Sequence, residues 1–96
     1  MAYRYVFLAA AAKDFLKLTR HSYQLAALIA TEAIPAILAD PYRAGEPKHG
    51  DLAGVRAYDL KHKNVAYRLI CALEADVVTI IAIGPHDAAY QRAARR

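Results

Sequence analysis

Hydrophobic and polar positions alternate at the start of the chain. In Tyr3-Arg4-Tyr5-Val6-Phe7-Leu8 three aromatics fall on every second residue, the period of a strand with one packed face. From Ala10 the period lengthens. The stretch AAAAKDFLKLT has helical composition, with Phe15, Leu16 and Leu18 on an apolar side and Lys13, Asp14 and Lys17 opposite. Thr19-Arg20-His21 breaks the pattern, and Ser22 is a suitable N-cap for a second helix through YQLAALIATEAIPAILAD. Leu25, Leu28, Ile29 and Ala33 keep helical spacing there. Pro35 is expected to kink or interrupt this helix, because proline lacks the amide donor and clashes with the preceding turn. The two helices read as a hairpin laid on a sheet.

Residues 41–54, PYRAGEPKHGDLAG, hold two of the four prolines and three of the four glycines, and so predict a long irregular crossing loop. Three strands follow, at residues 55–60, 65–73 and 77–84. The short links KHKN and EAD suit antiparallel hairpins. Asp87 is placed to cap a last helix, AAYQRAARR. The order predicts an α+β fold. A twisted, mostly antiparallel four-stranded sheet carries the N-terminal helical hairpin on one face and a short C-terminal helix. The other face is expected to stay free for a concave site.

Ninety-six residues predict a single domain, 1–96, with one modest core. A hydrophobic fraction of 57% excludes a disordered chain. Charges interrupt the apolar stretches before a membrane-spanning length of roughly 20 residues, so no membrane association is expected. The N-terminal run mimics a secretory signal, but its apolar core is short and the alternation in YRYVFL reads as a strand. Cys71, the sole cysteine, excludes an internal disulfide and fits a reducing cytoplasm. Within AYRLICAL it reads as a buried structural thiol. His21, His49, His62 and His86 show no paired ligand spacing, so no metal is expected. The net charge of +4 is spread over the chain and gives a surface that favours polyanions.

Two residues stand out for chemistry. Arg68 follows Tyr67 on the second meander strand, where a guanidinium that stays charged can grip phosphate oxygens through two bonds. His86 follows Gly84-Pro85 at the end of the last strand, and its ordinary pKa near 6.5 suits proton exchange close to neutrality.

Leu52-Ala53-Gly54, Ala66-Tyr67-Arg68-Leu69-Ile70 and the strand ending Ile83-Gly84-Pro85-His86, with Tyr90 beyond, together resemble the RelE/ParE toxin superfamily. The resemblance covers nearly the whole chain and implies a RelE-like fold. It also implies the toxin half of a type II toxin–antitoxin pair. Many such toxins cut mRNA in the ribosome, while the ParE branch poisons DNA gyrase without such chemistry.

The site pattern is most similar to the RelE/YoeB-like ribonucleases. Many RelE relatives carry Arg around the position of His86, and the YoeB-like branch carries His. Glu46, in Gly45-Glu46-Pro47-Lys48-His49, resembles the YoeB-like stretch whose Glu serves as base. The resemblance thus implies Arg68, His86, Glu46 and Tyr90 as catalytic residues. It implies RNA binding by Arg56, Tyr58, Lys61, Lys63, Lys48 and His49, with Lys61, His62 and Lys63 forming a hairpin tip. The implied partners are a cognate antitoxin, mRNA on the ribosome and rRNA, with operator DNA reached only through the antitoxin complex. No cofactor is implied, because the RNA supplies its own nucleophile. The alternatives are a ParE-like gyrase poison and a degenerate member that only binds an antitoxin.

Overall fold

Strand β1 (Arg4–Phe7) pairs in parallel with β5 (Val77–Pro85), Arg4 lying opposite Val77 and Phe7 opposite Ile80. A computed structural model describes residues 3–41, 46–47 and 55–96, and at Glu46, Pro47, His86, Asp87 and Tyr90 the backbone alone. β5 pairs antiparallel with β4 (Val65–Glu74), and β4 with β3 (Val55–His62). These are the four expected strands. Within the expected crossing loop, Glu46–Pro47 forms a two-residue strand, β2, whose backbone pairs with Ala57 and Arg56. The sheet order is β1-β5-β4-β3-β2.

Lys63 and Asn64 close the β3–β4 hairpin at φ of 50° and 66°, the left-handed pair that matches the twist of the flanking strands. The turn is shorter than expected. Lys61 and His62 belong to β3 rather than to the tip.

Helix α1 (Ala9–Thr19) leads into α2 (Tyr23–Leu28), whose Ser22 cap accepts a hydrogen bond from the Leu25 amide at 3.2 Å. The expected break at Pro35 takes a specific form. Residues Ile29–Ala33 widen into a π-helical turn, with the Ile34 amide donating to the Ile29 carbonyl, before α3 (Ile34–Ala39) resumes. The wider turn relieves the crowding that proline would cause in a regular helix.

Leu25, Ile29, Ala33, Ile34 and Ile37 from this layer, with Ala11 of α1, pack on Leu69, Cys71, Val78, Ile80 and Ile83 of the sheet. The opposite face is not left open. Helix α4 (His86–Ala94) lies across it, with Ala89 and Ala93 on Ala57, Ile70 and Ala82. Small side chains on both sides allow this close approach. α4 begins at His86, behind Pro85 and with no side-chain cap, so Asp87 falls inside its first turn rather than capping it.

A bulge in β5 sets the facing of its last residues. Ile70 lies opposite Ala82 and Cys71 opposite Ile80, which leaves Ile81 as the extra residue. Ile81 and Ala82 both turn toward α4, and Ile83 returns to the helical layer.

Candidate functional site

Arg68 shares a face with Ile70, the face on which α4 lies. Across the sheet it stands opposite Asp59 of β3 and Gly84 of β5. Its side chain is only 14% exposed, and its Nε is in ion-pair contact with the Asp59 carboxylate. The Nε alignment falls short of a hydrogen bond, while Nη2 donates to the second Asp59 oxygen at 3.5 Å. Two residues past Gly84 the chain enters α4 at His86. The start of that helix, with its partial positive charge, therefore lies beside Arg68. Such a pairing favours a negative charge, which the Asp59 carboxylate supplies here.

The backbone of Glu46 pairs with Ala57, two residues from Asp59 along β3. Two strand spacings and two residues of rise put the Glu46 and Arg68 backbones roughly 12 Å apart. Tyr90 stands one helical turn beyond His86 on α4. The side chains of Glu46, His86 and Tyr90 lie outside the described residues, as do Lys48 and His49 altogether.

Arg56 and Tyr58 do not join this group. They face the helical layer, where Arg56 Nε donates to the Pro41 carbonyl at 3.1 Å. Both line a space of about 10 Å³ with Ile37, Cys71 and Val78, too small for a ligand. Lys61 and Lys63 are exposed at the hairpin end, and His62 is half-buried. Cys71 is buried, and burial pushes its thiol pKa up to about 12. Among the described residues, no group of three or more His, Cys, Asp or Glu side chains is arranged to hold a metal. No helix among them is long and apolar enough to cross a membrane.

Sequence reasoning missed Asp14. Expected on the polar side of α1, it is buried instead. Its carboxylate accepts from the Ile83 amide at 3.2 Å and from both Nη atoms of Arg96, at 2.6 and 3.1 Å. Arg92 Nη1 lies 3.8 Å away and donates to the Ile83 carbonyl at 2.8 Å. Burial pushes the Asp14 pKa up, but the Arg96 hydrogen bonds, the Ile83 amide and the charges of Arg96 and Arg92 outweigh it. The net pKa falls below the usual carboxylate value. One signal was available: Arg92 and Arg96 stand four residues apart in the sequence, a spacing that would put both on one helix face. Asp14, Lys17, Leu18, Pro85 and Arg92 line an open cleft of about 290 Å³ beside the start of α4.

A mixed sheet with a helical layer on one face and a terminal helix on the other is the architecture of RelE-like toxins, and solved structures match it. RelE from E. coli, a double mutant in the free state, matches at TM-score 0.72 and 24% identity, over 100% of this chain and 98% of that one. The toxin–antitoxin complex RelBE2 from Mycobacterium tuberculosis matches at 0.72 and 23%, over 90% of this chain and 100% of that one. A YoeB/ParE toxin from Agrobacterium tumefaciens matches at 0.73 and 17%, over 86% and 98%. Among curated proteins, none matches the sequence significantly. The family model for ParE-like toxins of type II bacterial toxin–antitoxin systems matches residues 8–94, and the chain belongs to that family.

Proposed function

We propose that this toxin is a ribosome-dependent mRNA endoribonuclease, acting in the cytoplasm as one domain and needing no metal or organic cofactor. The substrate's 2′-hydroxyl attacks the adjacent phosphorus, and the bond to the 5′-oxygen breaks, leaving a 2′,3′-cyclic phosphate and a 5′-hydroxyl. Glu46 takes the proton of the attacking hydroxyl. His86 gives a proton to the departing oxygen, the division of labour expected of groups with separated pKa values. Arg68 stabilises the charge that builds on the phosphoryl oxygens. Tyr90 assists at the same site, and Lys61, Lys63, Lys48 and His49 bind RNA phosphates. Arg56 and Tyr58 are assigned to packing.

One observation above all supports this reading. The register of β3, β4 and β5 brings the largely buried Arg68 opposite Gly84, two residues from His86, on the face where α4 begins. A cognate antitoxin is the expected partner, consistent with the complex in which RelBE2 was solved. Operator DNA is reached through that complex.

Mapping mRNA 5′ ends after brief induction tests the reading. Cuts at fixed codon positions are expected with the wild type and are lost in Arg68→Ala. The second reading, a gyrase poison without nuclease chemistry, draws support from the match to a ParE-like model. Intact transcripts accompanied by DNA damage would favour it.

A further inference from the structure

Among the described residues, Asp14 is the one buried charged side chain, and the proposed chemistry makes no use of it. Its surroundings follow from a mismatch in strand length. β1 ends at Phe7, and the Leu8 amide donates to the Ile80 carbonyl at 2.9 Å, the last backbone rung described on that edge of β5. Beyond it lie the carbonyls of Ile81 and Ile83 and the Ile83 amide, of which the amide is the buried group that would be penalised most if unpaired. Side chains pair all three. Arg96 Nη1 donates to the Ile81 carbonyl at 3.0 Å, Arg92 Nη1 to the Ile83 carbonyl, and Asp14 accepts from the Ile83 amide. Asp14 then holds both arginines, Arg96 through two oxygens. One carboxylate on α1 thereby ties the end of β5 to the last turn of α4 and to the residues just past it.

Between those two anchored stretches the chain passes through Gly84, which is opposite Arg68, and Pro85 to His86. We propose that Asp14 is a positioning residue for the ribonucleolytic site: it fixes where β5 ends and α4 begins, and thus where His86 stands relative to Arg68. This rests on the nuclease reading above. An apolar residue at position 14 would fill the same space but leave the Ile83 amide and the Arg96 guanidinium without their shared acceptor, and Arg92 without its counter-charge. The carboxylate is needed for direction as well as bulk.

The test compares wild type, Asp14→Asn and Arg92→Ala in cleavage of mRNA on programmed ribosomes, with rates expressed per folded molecule. Both variants are expected to lower kcat by about 10-fold or more while KM stays within about twofold, as for an interaction that matters in the transition state. NMR of the His86 ring and hydrogen exchange along α4 form a second readout. The ring resonances are expected to shift, and helix protection to fall, in Asp14→Asn. Arg92→Ala removes one of the two arginines that Asp14 holds and frees the Ile83 carbonyl, so it loosens the same junction and supplies the same readouts if Asp14→Asn does not fold. A variant with wild-type kcat per folded molecule and an unchanged His86 ring overturns the positioning role. A wild-type protein that leaves ribosome-bound transcripts intact overturns the nuclease reading instead, and the ring and exchange data then decide the role of Asp14 alone.

Discussion

Arg68 and Cys71 stand three residues apart on β4 and so face opposite sides of the sheet, one toward α4 and one into the helical core. Arg68 is largely buried on that face, with the mostly exposed Asp59 against it. Because Asp59 is mostly exposed, solvent screens the pair, which contributes about 0–1 kcal/mol. Asp59→Ala is therefore expected to shift a urea midpoint only slightly. Arg68→Lys should matter for activity out of proportion to stability, because an ammonium loses the planar fork. The loss of one charge-assisted bond predicts a fall of about 10- to 100-fold in cleavage rate, with folding unchanged. Cys71 makes the opposite prediction. With its pKa pushed up to about 12 it carries almost no thiolate at pH 8, so iodoacetamide should modify it only after denaturant is added. The AYRLICAL run made both placements legible, since alternation on a strand separates residues 68 and 71. Asp14 was not legible in the same way. Its charge argued for the surface, and only the Ile83 amide and the arginines in and just past a distant helix explain its burial.

At the scale of elements, the bulge in β5 decides which residues meet. The run VVTIIAIG is apolar on both faces, so it carries no alternation from which a change of phase could be read. Were β5 regular through Ile81, Ala82 would face the same way as Ile80 and Val78, and Gly84 would leave the face it shares with Arg68. The hairpins, by contrast, were marked by short polar links, and Ser22 marked a helix start that the structure keeps. Gly84 reports on how closely α4 lies over the bulged strand. A Cβ there would stand 2.6 Å from Arg92 Nη1, so the guanidinium must move and release the Ile83 carbonyl. Because that atom ends a flexible side chain, Gly84→Ala should cost about 1 kcal/mol, one net hydrogen bond. Combined with Arg92→Ala the glycine substitution should add almost nothing, and denaturation of the double-mutant cycle measures that non-additivity.

Across the whole molecule, α1 and α4 lie against opposite faces of the sheet and touch through one anion at its edge. Sequence order was enough to predict the α+β class, the helical layer on one face and the four longer strands. It missed that the last helix covers the second face, because an alanine-rich segment with a frayed basic end gives little amphipathic signal. The Asp14 clamp therefore has a consequence for the stability of the entire fold. Its folded-state pKa lies below its ordinary value, so the carboxylate binds its proton less readily folded than unfolded. Stability from this group is fully present above the ordinary pKa of 3.8 and is lost as pH falls through the lower folded value. Asp14→Ala is expected to cost about 3 kcal/mol near neutrality, the loss typical of breaking a buried pair. The gap between variant and wild type should then narrow as pH falls below the unperturbed carboxylate value, because the wild-type group is itself becoming protonated. Urea denaturation from pH 7 down to pH 2 measures both curves. Parallel curves over that whole range would mean that Asp14 stabilises by packing alone, and that its charge does not bind α4 to the sheet.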